Sequence, residues 1–73
     1  MSLPTWLASR VLADAAIAMA NARQTATEIH DQGRDHYYDP NWRTAVTKAR
    51  RAIDKAEEIG IDPQTVLDAS KAR

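Results

Sequence analysis

The chain has 73 residues, with ten basic and ten acidic side chains and neither cysteine nor phenylalanine. This length fits one domain at most. It needs dense packing or a partner chain, because no disulfide framework or thiolate metal site is there to staple it. The balanced charge argues against bulk nucleic-acid binding, which rests on an excess of Lys and Arg.

Alanine is the commonest residue, at fourteen positions against four for leucine. It is the strongest intrinsic helix former, yet it carries almost no side chain. Helices built from it stabilise a fold only by lying close to other helices. The larger anchors available to a core are Trp6, Trp42, Ile17, Ile29, Ile53, Met19 and Leu12. Asp14 interrupts the apolar stretch 11–20 and no basic segment precedes it. Neither a signal peptide nor a membrane span is therefore expected, and the protein is read as cytoplasmic. The surplus of Arg over Lys, with abundant Ala and Asp, fits a GC-rich bacterial or phage genome.

The first predicted helix runs from about 4 to 32. Pro4 is tolerated in a first turn, and Gly33 supplies a stop. Leu12, Ala15, Met19, Ala22, Ala26 and Ile29 recur at alternating spacings of three and four, which is a heptad seam. Apolar and alanine positions cover roughly two-thirds of this helix, more than one partner helix hides. Arg10, Asp14, Asn21 and Glu28 form the remaining strip and are expected to face solvent. Arg23 is the odd residue, since it projects into the apolar arc. Its stem is expected to lie along the bundle, or its guanidinium to pair with an acid such as Glu57.

A connector over 33–39 follows, and then a second helix from about 40 to 59. Asp39 is a cap, Pro40 sits at the first position, and Gly60 is a stop. Its buried stripe reads Trp42, Val46, Ala49, Ile53 and Ala56, with Ala45 and Ala52 beside it. A short third helix over about 63–70 opens with Asp62 and Pro63. It is expected to fold back over one end and to add little cover, and the tail from Ala69 is expected to fray. The fold class is thus all-α: a long antiparallel helical hairpin with a short C-terminal helix. To cover the first helix, two copies are expected to pair as a homodimeric four-helix bundle through Leu12, Ala15, Met19, Ala22, Ala26 and Ile29.

Chemistry-bearing residues concentrate at the connector. Tyr, Trp and Arg dominate binding hot spots because they offer large, rigid contact area with a polar handle. Arg34, His36, Tyr37, Tyr38, Trp42 and Arg43 are therefore the expected partner-binding residues. The plainer alternative is that the Tyr rings and Trp42 cap the open end of the bundle. A metal site from His30, His36 and nearby Asp residues is the weaker reading, because a spacing of six does not put two ligands on one helical face. The Glu-x-x-His pattern of metal-binding bundles is also absent. No metal or other cofactor is expected.

An enzyme is not expected either. No Ser or Thr sits in a nucleophile elbow, and both glycines read as helix stops rather than as a phosphate loop. Arg43, Lys48, Arg50, Arg51 and Lys55 offer a basic surface for nucleic acid. The spacings Arg50–Asp54, Arg51–Asp54 and Lys55–Glu58 favour instead a solvated, self-paired face. The expected function is that of a small interaction or regulatory protein. Its partners would be a second copy and another protein, with a nucleic-acid-binding regulator as the alternative.

Overall fold

The computed structural model describes residues 4–72. They form α1 (Thr5–Asp31), a 3-10 turn (His36–Tyr38), α2 (Pro40–Glu58) and α3 (Pro63–Lys71), with no strand among the described residues. The protein is all-helical. None of the described helices is long and apolar enough to cross a membrane.

Local chemistry sets each boundary. α1 starts without a side-chain cap: the backbone N–H groups of Leu7 and Ala8 donate to the Pro4 carbonyl. It ends where Gly33 takes φ +75°. The Arg34 N–H then reaches the Ile29 carbonyl at 3.2 Å and the Gly33 N–H reaches His30 at 2.9 Å, the paired bonds that satisfy a helix terminus. α2 ends in the same way, with Gly60 at φ +91° and Ile61 N–H donating to the Ala56 carbonyl at 2.9 Å. Asp39 caps α2 through Asn41 N–H at 2.8 Å, and Asp62 caps α3 through Gln64 N–H at 2.8 Å. Pro40 and Pro63 open those helices, where a missing N–H leaves no bond unmade.

α1 lies between α2 and α3, and the two shorter helices meet chiefly through it. The central core joins Val11 and Ala15 of α1 to Ala56 of α2 and Val66 of α3, with Leu7, Leu12, Met19, Ala52, Ile53, Ile59 and Ile61 packed around them. Ala15, Ala56 and Val66 are fully buried. This core sits at the α2–α3 turn, whereas the connector lies toward the other end of α1. No buried side-chain polar atom among the described residues lacks a hydrogen bond.

Several expectations change here. α3 runs along α1 instead of closing one end, and it is helical through Lys71; of the tail from Ala69, Arg73 lies outside the described residues. Val66 docks α3 in the core, and Arg23 adds a polar tie near its end. The Arg23 Nη2 donates to the Ser70 carbonyl at 2.9 Å, and Ser70 itself is buried. The expected partner Glu57 is not used; Arg23 instead satisfies a carbonyl at the end of α3, where cations are favoured.

Ala15, Ala22 and Ile29 of the heptad seam are buried within the single chain. Leu12, Met19 and Ala26 of the same seam are half-buried. The anchors Trp6 and Ile17 point the other way and are 67% and 40% exposed. They lie on the side of α1 that neither α2 nor α3 covers. Arg10, Asp14, Asn21 and Glu28 are exposed on that side too.

Candidate functional site

Gly33 turns the chain at the end of α1, and three polar contacts then fix the residues that follow. Asp35 accepts the Tyr37 N–H at 3.0 Å and so caps the 3-10 turn. The Asp39 backbone N–H donates to the His36 carbonyl at 2.9 Å and closes the turn. Arg43, one turn into α2, donates from Nε to the Tyr37 carbonyl at 3.1 Å. A short loop on a helix pair is thus held as firmly as a helix end.

Arg34 and Asp39 form the only ion pair among the described residues, at 3.0 Å, and the Asp39 carboxylate is nearly buried. Burial alone would raise the Asp39 pKa. The Asn41 and Trp42 N–H groups, and then the Arg34 guanidinium, outweigh it and hold the carboxyl below its ordinary value. Arg34 also donates to Gln32 Oε1 at 2.6 Å. Arg34, one of the expected partner-binding residues, thus braces the connector from within.

The rings of the connector form one continuous row. His30 and His36 have centroids 4.6 Å apart, and His36 meets Trp42 edge-on at the same separation. Trp42 lies 6.1 Å from Tyr37, which packs T-shaped against Tyr38 at 5.4 Å. Arg43 stands over the Tyr37 ring at 5.8 Å. Burial is greatest in the middle of the row, and His30 at one end is exposed. Trp42 and His36 are half-buried, while Tyr37 is 57% and Tyr38 75% exposed. The tyrosine rings thus stand largely in solvent, while Trp42 and His36 pack against the end of the helix pair.

His30 and His36 come together despite their spacing of six. On a straight helix, positions six apart diverge, but the reversal at Gly33 folds His36 back until its Nδ1 is 2.6 Å from His30 Nε2. A carboxylate oxygen of Asp35 joins them, and the three donor atoms lie within 4.8 Å of one another. The signal in the sequence was the glycine between the two histidines, which breaks the helical spacing rule.

On α2, the five cations Arg43, Lys48, Arg50, Arg51 and Lys55 are all exposed. None of the pairs expected with Asp54 and Glu58 closes among the described residues. Arg43, Lys48 and Arg51 line one open cleft with Thr44 and Thr47, and Arg43 and Arg50 line another with Tyr37 and Trp42. The order of charge along α2 also runs against its dipole. Four cations occupy the half from Pro40 to Arg51, which holds no acid, and Asp54, Glu57 and Glu58 follow toward the C-terminus. Helix stability alone favours the reverse.

Comparison with protein-family models, with curated proteins and with solved structures finds no match for this chain.

Proposed function

We propose that this protein is a small, non-enzymatic recognition module that binds a partner protein through the connector end. The observation that carries this reading is the exposure of Tyr37 and Tyr38, 57% and 75%, on a turn that Asp35, Asp39 and Arg43 hold in place. Two adjacent aromatic rings are unfavourable to leave in water and are not needed to turn the chain. Rigid aromatic rings lose little conformational freedom on binding, which is why they anchor interfaces. Arg43, stacked on Tyr37, and Trp42 behind it complete the surface.

Site-specific photocrosslinking tests the reading. A crosslinker at Tyr38 is expected to capture a discrete protein adduct from a host lysate, while one at Gln24, on the exposed side of α1, captures none. Equal capture at both positions, or capture at Gln24 alone, contradicts the assignment.

The proposal extends to assembly. The helical hairpin of α1 and α2 leaves an open groove lined by Ile17, Ala18, Ala45 and Ala52, with Asp14 and Lys48 at its rim. Small side chains allow close helix approach, and the opposite charges let two copies related by a two-fold axis satisfy each other. A homodimer formed here uses the groove beside the heptad seam. Light scattering is expected to give twice the chain mass of 8.1 kDa, and Ile17→Glu to return the protein to a monomer.

One observation favours a second reading. The unpaired cations of α2, ordered against the helix dipole, are suited to phosphate contact, with the exposed tyrosines as a stacking platform for unpaired bases. A nucleic-acid complex would weaken steeply as salt rises because counterions are released, whereas an aromatic protein interface would change little.

A further inference from the structure

We propose that His30, His36 and Asp35 form a site for a divalent transition-metal ion of the zinc class. The inference goes beyond partner recognition, because the three residues all belong to this chain and need no partner to assemble.

The geometry starts with His36 Nδ1 and His30 Nε2, 2.6 Å apart. At this distance one ring nitrogen donates its N–H to the lone pair of the other, so a single position between the rings faces both nitrogens. A metal with bonds of about 2.0–2.1 Å to nitrogen in a tetrahedral shell takes the place of that proton once the two nitrogens separate to about 3.3 Å, an opening of roughly 0.7 Å. His30 is exposed at the end of α1 and has room to do so. A carboxylate oxygen of Asp35 lies within 4.8 Å of a ring nitrogen of each histidine. One of its oxygens accepts the Tyr37 N–H, which fixes the carboxylate while leaving its other oxygen free to ligate.

The surroundings fit a cation. His30 stands in the last turn of α1, where the helix dipole presents its negative end. Arg34, the nearest strong competitor in sequence, is turned away and paired with Asp39. The His36 ring is oriented by the edge of Trp42 at 4.6 Å, the kind of outer support that sets ligand direction in metal sites. Two imidazoles and one carboxylate are borderline and hard donors. They suit zinc and its neighbours rather than calcium or magnesium, which take oxygen ligands. With three protein ligands, the fourth position is left to water.

Zinc alone is the probe, titrated into the metal-free protein by calorimetry, with a parallel thermal melt. One ion per chain is expected to bind saturably, and the melting temperature to rise with the logarithm of free zinc. His30→Ala and His36→Ala are each expected to weaken binding at least tenfold, and Asp35→Asn to weaken it less. Helicity without metal should be unchanged in all three, because none of these side chains is in the core. In proton NMR, the ring signals of His30 and His36 should shift together as zinc is added. The proposal is overturned by the absence of saturable binding, by a stoichiometry of one ion per two chains, or by binding that survives in both histidine variants. Because no readout involves a partner, failure here leaves the recognition reading standing, and failure of recognition leaves this one standing.

Discussion

Arg23 and Ser70, forty-seven positions apart, are joined by a guanidinium-to-carbonyl hydrogen bond of 2.9 Å, and this contact ties α3 to α1. A second, longer contact of 3.4 Å reaches the Ser70 hydroxyl. The Ser70 hydroxyl donates to the Leu67 carbonyl at 2.7 Å, so its carbonyl is the group left for Arg23 and the Ala72 N–H. A single long side chain thus finishes a helix that begins elsewhere in the sequence.

Arg23→Met keeps an apolar stem but removes the donor. A hydrogen bond from a charged group contributes roughly 1.5–3 kcal/mol when sheltered, and about 1 kcal/mol is expected at this partly exposed position. For a chain of this size that lowers the melting temperature by about 4–8 °C. Amide exchange in 63–71 should accelerate more than in α2, since α3 loses its fastening. A uniform change across all three helices would contradict the role assigned to Arg23.

Overpacking separates the inner and outer faces of α1. Ala15 is enclosed by Ala56 and Val66, so Ala15→Leu has no space to enter and is expected to cost ~1–3 kcal/mol. Asn21→Leu, on the exposed side, should be nearly neutral. Equal melting temperatures for the two variants would mean that α1 presents a different face to the core.

Helix ends were legible in the sequence because they are decided within four or five residues. Asp39 with Pro40, Asp62 with Pro63, and the glycines at 33 and 60 each act on their own turn. The docking of α3 was not legible. It depends on the direction in which the chain leaves Gly60, and the sole hint was a charged Arg23 in an apolar arc. Trp6 and Ile17 are large and apolar, yet a helix with two neighbours leaves part of an apolar circumference uncovered. Spacing on a helix wheel also allowed Arg50–Asp54, but exposed side chains at such spacing gain little by closing in water. The histidine pair was hidden because wheel geometry stops applying beyond Gly33.

The cap at Asp39 makes stability depend on pH in a defined direction. Its carboxyl is held below the ordinary value of 3.8, so the charged form is favoured by folding. That contribution is complete above the unfolded pKa, near ~3.9, and disappears as the pH falls through the lower folded value. Asp39→Asn is expected to melt lower than the native protein at pH 6. The gap between the two should stay constant down to about pH 4 and narrow below it. A gap that widens on acidification would contradict the charge-assisted cap.

The recognition surface is tested most directly by Tyr37→Ala, Tyr38→Ala, with affinity for the crosslinked partner and melting temperature measured on the same preparation. Truncating a hot-spot side chain costs ~2 kcal/mol, roughly a thirtyfold loss of affinity each. Because both rings lie outside the core, the account predicts that binding is lost while the melting temperature stays within a few degrees of the native value. A double variant that melts much lower but still binds its partner would contradict it.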